Sequence, residues 1–184
     1  KKKAEAGELS SDDVTIVMPG MQPISPQKTA RLYFFDETNL HWCPDTGSAL
    51  HLPRQQVKVD SPGKDSVRFL IGSVEYPSGD GLYQLFSRKR NEEVQRHLEE
   101  LLSMHPDELL FVVIDNASSH TTPMLQPFFL ANRERLLLVF LPTYSPHLNL
   151  IERVWNFWRK HITKNHFYDS MKAICEATVQ WLQN

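Results

Sequence analysis

Residues 109–115 read LLFVVID, six apolar residues that end in a single aspartate. An almost unbroken apolar run of this length is typical of a strand in the middle of a sheet, buried on both faces. A second run, LLLVFL at residues 136–141, predicts another buried strand. A helix is predicted between them, opening at Thr122 and Pro123, so strand, helix and strand alternate in this part of the chain.

The chain before residue 109 predicts a meander of strands. RLYFFD at residues 31–36 has strand character, and VRFLIGSVEY at residues 67–76 is a clear second strand. PSGDG at residues 77–81 is a hairpin turn that sends residues 82–86 back as a third strand beside the second. This meander precedes the alternating part of the chain.

Three further helices are predicted from spacing and capping residues. The first has Asn91 as its N-cap, stops before Pro106 and carries an apolar stripe of Val94, Leu98, Leu101 and Leu102. The other two cover residues 150–164 and 170–182. The order of elements matches the RNase H-like fold, an α/β architecture with a mixed sheet, a three-strand meander and helices on both faces. We expect this domain at residues 30–184, after a linker or flexible N-terminal segment at residues 1–29.

Composition narrows the class of protein. The 184 residues are 41% hydrophobic and 23% charged, close to the average of globular proteins. No apolar run approaches the roughly 20 residues of a membrane span, and Lys1 leads into polar sequence rather than a signal peptide. The two cysteines are too few for a disulfide framework, which favours a cytoplasmic setting. The net charge of −2 does not by itself indicate a nucleic-acid partner.

Three carboxylates are candidates for catalysis. Asp36 and Asp115 each end an apolar strand, where a side chain is held rigidly at the edge of a sheet. Between Asp115 and Glu152 lie 36 residues, enough for the chain to return beside the aspartates. Carboxylates without His or Cys partners favour Mg²⁺ or Mn²⁺ and phosphoryl chemistry. Each residue has another interpretation: an aspartate after a strand is commonly a turn residue, and Glu152 could close a capping box with Asn149 as N-cap.

Three segments around these carboxylates resemble the signature blocks of mariner-like DDE transposases, most closely those of the bacterial insertion-sequence branch. They are LYFFDETNL at residues 32–40, VVIDNASSHTT at residues 112–122 and FLPTYSPHLNLIERVW at residues 140–155. The third block is the most specific, because such a string has no general structural reason to recur. Leu150 departs from the family, which usually has proline there; proline at a helix start is favourable but dispensable.

The resemblance implies residue roles, cofactors and partners. Asp36, Asp115 and Glu152 match the family's catalytic and metal-binding residues. Asn116 and His120 match polar positions of the second block, to which we assign a supporting role. The implied activity is DNA strand cleavage and strand transfer in cut-and-paste transposition, with Mg²⁺ or Mn²⁺ as two ions. The implied partners are double-stranded DNA, as transposon ends and target, and a second copy in a homodimer, in the bacterial cytoplasm and at the nucleoid. The family also carries an N-terminal helix-turn-helix region that has no counterpart here, so we expect a catalytic fragment.

The helix predicted at residues 150–164 has two faces. Its buried stripe consists of Ile151, Val154, Trp155, Trp158 and Ile162. Basic residues predicted to contact DNA phosphates lie near Glu152: Arg153, Arg159, Lys160 and Lys164. Arg153, Lys160 and Lys164 line up together on one face, for which an ordinary solvated surface is the alternative interpretation.

Other functions compete with this interpretation. A phosphatase of the haloacid dehalogenase type also places an aspartate after an apolar strand, but it needs a second aspartate where this chain has Thr38. A nuclease or resolvase on the RNase H-like fold would use similar metal chemistry, although the third block argues against it. A domesticated transposase that only binds DNA is the non-enzymatic alternative, and the intact set of three carboxylates counts against it.

Overall fold

The computed structural model describes residues 29–47, 58–115, 122–142 and 145–183. These residues form a mixed sheet whose strands are β1 (Ala30–His41), β2 (Val67–Tyr76), β3 (Gly81–Phe86), β4 (Leu109–Ile114) and β5 (Leu136–Phe140). Their order across the sheet is β3-β2-β1-β4-β5. The pairs β1–β2 and β2–β3 are antiparallel, whereas β1–β4 and β4–β5 are parallel. The sheet therefore joins a meander to parallel strands at β1, as the sequence predicts.

Four α-helices flank this sheet in the described part of the chain. They are α1 (Asn91–Met104), α2 (Gln126–Asn132), α3 (Ile151–Trp158) and α4 (Met171–Leu182). A short 3₁₀ turn (Pro146–Leu148) precedes α3, and a π-helical turn (Arg159–Thr163) continues it. No helix among the described residues is both long and apolar enough to cross a membrane.

Alternation along β1 sends side chains into two separate cores. Tyr33 and Phe35 join one cluster together with residues of α1 and α2, whereas Leu40 joins a second cluster with residues of α3 and α4. Burying each large apolar side chain stabilises the fold by about 1.5–3 kcal/mol. The prediction of helices on both faces is confirmed, and Ile151, Trp155, Trp158 and Ile162 of the predicted stripe are buried.

Strand β1 is longer than predicted. It runs 12 residues, to His41, so that Asp36 lies within the strand instead of ending it. Its pairing with β4 stops at Phe34, but its antiparallel pairing with β2 continues to the end of the strand. Residues 37–41 are too polar to resemble a strand buried on both faces, and they alternate between the buried and the solvated side.

Three local predictions need correction. The edge strand β5 is not fully buried, since Val139 and Phe140 are exposed. The N-cap of α1 is Arg90, since Asn91 is already the first helical residue; the Asn91 side chain donates to the Thr122 hydroxyl at 3.1 Å. Helix α2 begins at Gln126, since a turn at residues 123–125 precedes it and places Pro127 in the first helical turn, where its missing N–H is harmless. The predicted linker lies almost wholly outside the described residues.

Candidate active site

Asp36 lies at the place where β1 loses one neighbouring strand and keeps the other. The last pair between β1 and β4 is Phe34 with Val113, and Asp36 is paired with Gly72 of β2. Its side chain is partly buried, and the indole Nε1 of Trp155 donates a hydrogen bond to its Oδ2 at 3.0 Å. Asp36 is therefore held from the side of the sheet that α3 covers.

Asp115 follows the last residue of β4 and is exposed. Asp36 and Asp115 each come two residues after the final β1–β4 pair, Phe34 with Val113. Residues in register on parallel strands project to the same face of a sheet. The parallel register therefore directs the two aspartates to neighbouring positions on one face.

Glu152 lies in the first turn of α3, but not as a cap. The N-cap of α3 is Leu150, and no side chain caps this helix, so the predicted capping box with Asn149 is wrong. The Asn149 side chain, 4% exposed, instead donates from Nδ2 to the backbone oxygen of Phe35 at 3.0 Å. This bond ties the start of α3 to β1 at the residue before Asp36, so the first turn of α3, which carries Glu152, lies near this part of β1.

The pKa of Asp36 depends on the charged residues around it. The pKa of Asp36 is raised to about 6, mainly by burial and in part by the negative charges of Glu152 and Asp115, whereas hydrogen bonds from the Glu37 backbone and from Trp155 act to lower it. Two carboxylates can have this effect only from nearby. The three predicted residues are therefore electrostatic neighbours at one edge of the sheet.

The donor set fits a hard divalent cation, since all three side chains offer only carboxylate oxygens. A cation would also offset the charge repulsion that raises the pKa of Asp36. Within the four described ranges, no group of three or more His, Cys, Asp or Glu side chains is arranged closely enough to hold a metal ion. The three carboxylates thus influence one another electrostatically without forming a closed set of ligands.

The adjacent acid Glu37 belongs to the other face of the sheet. Successive residues of a strand point to opposite faces, and the Glu37 carboxylate pairs with the ammonium of Lys89 at 2.9 Å. Only Asp36 of these two neighbouring acids faces α3. Strand alternation therefore selects which acid can act with Glu152.

The predicted DNA-contacting residues do not share one setting. Arg153, Lys160 and Lys164 are exposed, whereas Arg159 donates to the Thr38 hydroxyl of β1 at 2.8 Å. The predicted alignment of Lys164 with the other two is wrong, because α3 changes into a π-helical turn at Arg159 and Lys164 lies beyond it in extended backbone. Asn116 and His120, predicted to support catalysis, lie outside the described residues.

Gly72 is a site residue that the sequence analysis missed. It stands opposite Asp36 in the β1–β2 pair, and a Cβ built there would lie 2.6 Å from Cη2 of Trp155. An isolated glycine inside VRFLIGSVEY was the available signal, since glycine within a strand often marks a close approach by another group.

Comparisons with known proteins place these features in a family. The family described as DDE superfamily endonuclease matches residues 31–175. An IS630 insertion element 39 kDa protein of Shigella sonnei is 26% identical over 153 residues, covering 83% of this chain and 44% of that protein.

Solved structures share the fold. A Mos1 transposase paired-end complex with the left transposon end has a TM-score of 0.64 at 16% identity, covering 83% of this chain and 48% of that chain. A Mos1 mariner paired-end complex with Mn has a TM-score of 0.62 at 17% identity, with the same two coverages. The chain spans about half the length of these relatives.

Proposed function

The chain belongs to the DDE superfamily endonuclease family, and we propose that it is the catalytic domain of a transposase that cuts DNA and joins the cut strand to a target. The resemblance to mariner-like DDE transposases and the RNase H-like fold are confirmed by the family match and by the structural neighbours.

One observation carries the proposal: Asp36, Asp115 and Glu152 come from three different elements, and the charges of Glu152 and Asp115 both act on Asp36. The shared parallel register supports the position of the two aspartates, and the anchor from Asn149 to β1 supports that of Glu152. The raised pKa of Asp36, to which the other two carboxylates contribute, supports their proximity. Residues without a shared task have no reason to accumulate unfavourable charge in this way.

The three carboxylates are proposed to hold Mg²⁺ or Mn²⁺, as two ions. Bound there, the ions would activate an attacking water or 3′ hydroxyl and stabilise the leaving oxygen. The chain itself supplies the geometry: β1 and β4 fix the aspartates on a rigid sheet, and α3 delivers Glu152. A Mos1 mariner relative has been solved with Mn, which supports this choice of cation.

The proposed partner is double-stranded DNA, since the Mos1 relative is in complex with a transposon end. The exposed residues Arg153 and Lys160 on and just after α3 are proposed to contact its phosphates near Glu152. We also propose a homodimer on DNA and a bacterial cytoplasmic setting at the nucleoid.

Cleavage by charge-neutralised variants tests this function. Purified protein is incubated with supercoiled plasmid in Mn²⁺, and nicked and linear products are scored. Asp115→Asn and Glu152→Gln each remove a metal-binding charge at nearly constant shape, so both should abolish cleavage. Asp107→Asn, at an exposed turn before β4, is the matched control and should cut like wild type. Wild-type cleavage rates for either triad variant would remove that residue from the catalytic set.

A further inference from the structure

We propose that Trp155 and Gly72 are positioning residues for the catalytic carboxylate of Asp36: the Trp155 indole fixes Oδ2, and the missing side chain of Gly72 makes room for that indole. This inference rests on the proposed function, because it concerns how one of the proposed metal-binding residues is oriented. It assigns a task to two residues that contribute no metal-binding atom.

The contact between Trp155 and Asp36 is polar, although the indole is fully buried. Trp155 is 0% exposed and makes edge-to-face contacts with Tyr83 and Trp158, with ring centroids 6.0 and 6.3 Å away. The indole has a single hydrogen-bond donor, Nε1–H, and it donates to Oδ2 of Asp36 at 3.0 Å. A fully buried indole in contact with two other aromatic rings cannot easily rotate, so the surrounding core fixes the position of its N–H.

Gly72 supplies the space for this indole. It lies directly across from Asp36 in the β1–β2 ladder. A Cβ there would lie 2.6 Å from Cη2 of Trp155, 2.8 Å from Cδ1 of Tyr83 and 3.0 Å from Cδ1 of Ile151. Contacts this short require the neighbours to move. Any side chain at position 72 would therefore push the indole away from its place beside Asp36.

The bond restricts how the Asp36 carboxylate is oriented. Oδ2 accepts the hydrogen bond from Trp155, which limits rotation of the carboxylate, and a carboxylate oxygen that accepts one hydrogen bond keeps a lone pair for a metal ion. Groups that orient a metal-binding side chain commonly affect metal affinity or activity by about 10–100-fold when they are removed. We expect loss of this bond to act on metal binding in that range, beyond any effect on folding.

Trp155→Phe keeps an aromatic ring and removes the N–H. Trp158→Phe is the matched control, since Trp158 is on the same helix, is also 0% exposed and donates its N–H to Thr178 at 3.3 Å, away from Asp36. Two readouts are measured for each variant: the melting temperature as a function of Mn²⁺ concentration, and the Mn²⁺ concentration that gives half-maximal plasmid cleavage. Trp155→Phe should raise both Mn²⁺ midpoints by about 10–100-fold, whereas Trp158→Phe should lower the metal-free melting temperature with unchanged midpoints.

A double-mutant cycle tests the link to Gly72. Gly72→Ala should raise the Mn²⁺ midpoints as Trp155→Phe does, because the new methyl group displaces the indole. Phenylalanine lacks the distal indole atom Cη2 that this methyl group would meet, so Gly72→Ala should add little in the Trp155→Phe background. Additive effects in the double variant would overturn the link between the two residues.

The outcomes separate this inference from the function on which it rests. Suppose that the wild type cleaves DNA and Glu152→Gln does not, but Trp155→Phe has the same Mn²⁺ midpoints as the wild type. This result would overturn the positioning role of Trp155 and leave the proposed function intact. Equal midpoint shifts for Trp155→Phe and Trp158→Phe would also overturn it, since they would reflect general loosening of the core. A wild-type protein that neither binds Mn²⁺ nor cuts DNA would overturn the function and the inference together.

Discussion

Replacing Asp36 with asparagine should make the metal-free protein more stable while it destroys metal binding. Burial and the neighbouring carboxylates raise the pKa of Asp36 from 3.8 to about 6. A raised pKa means that the folded state binds the proton more tightly than the unfolded chain, so stability is lost as the pH rises from about 4 to about 6. A pKa that rises from 3.8 in the unfolded chain to about 6 in the folded state corresponds to about 3 kcal/mol of lost stability at neutral pH.

Asparagine keeps the shape and never ionises, so Asp36→Asn should recover up to about 3 kcal/mol at pH 7.5. For a chain of this size that is a rise of roughly 6–12 °C in melting temperature. Thermal unfolding in EDTA at pH 7.5 measures the gain, which should disappear below about pH 4, where Asp36 is protonated in both states. In Mn²⁺ the difference in melting temperature between the variant and the wild type should become smaller or change sign. A cation at 100 times its Kd stabilises only the wild type, by about 2.7 kcal/mol.

Asp107→Asn, at an exposed turn, controls for loss of a negative charge elsewhere and should melt like wild type. The reasoning fails if Asp36→Asn melts at or below the wild-type temperature in EDTA at pH 7.5. That result would mean that burial and the neighbouring carboxylates do not destabilise the charged form of Asp36 in the folded protein.

Two further predictions concern other parts of the chain. If Arg153 and Lys160 contact DNA phosphates, the double variant Arg153→Gln/Lys160→Gln should make the slope of log affinity against log salt concentration shallower by nearly 2. The slope is measured on duplex DNA in Ca²⁺, and the variant Lys172→Gln, at an exposed position, is the control that should leave it unchanged. An unchanged slope for the double variant would mean that this surface faces solvent. Burial lowers the pKa of His97 to about 3, and its ring bonds Ser73 and Gln84. The folded state therefore resists protonation, so stability should fall as pH drops from about 6.5 toward 3, by at most about 1.4 kcal/mol per pH unit. His97→Gln should flatten this fall when both proteins are measured in the Asp36→Asn background, and parallel curves would contradict it.

The features with strong periodicity were predictable from the sequence. The apolar run before Asp115 identified β4, and the hairpin turn before β3 identified the meander. Helical spacing identified Trp155 and Trp158 as buried. The family resemblance is confirmed by the match over residues 31–175. The roles of Asp36, Asp115 and Glu152 stay predictions; the structure shows that the charges of Asp115 and Glu152 act on Asp36.

The remaining features depend on contacts between distant parts of the chain. Asn149 matches the preferences of a helix N-cap, but its amide instead bonds the backbone of Phe35, 114 positions away. Periodicity can bury Trp155 without revealing that its N–H meets Asp36, since the partner lies on another element. The predicted position of Lys164 assumed that the helix stays α-helical up to this residue. The π-helical turn at Arg159–Thr163 makes that assumption wrong. Rules based on neighbouring residues in the sequence do not describe any of these contacts.

The central claim is that Asp36, Asp115 and Glu152 jointly hold the catalytic cation. Anomalous diffraction from crystals of the protein soaked in Mn²⁺ tests it directly, with Asp36→Asn crystals as the matched control. The account predicts an anomalous peak among the three carboxylates in the wild type and its loss in the variant. A peak elsewhere, or none between these residues at saturating Mn²⁺, would contradict the account.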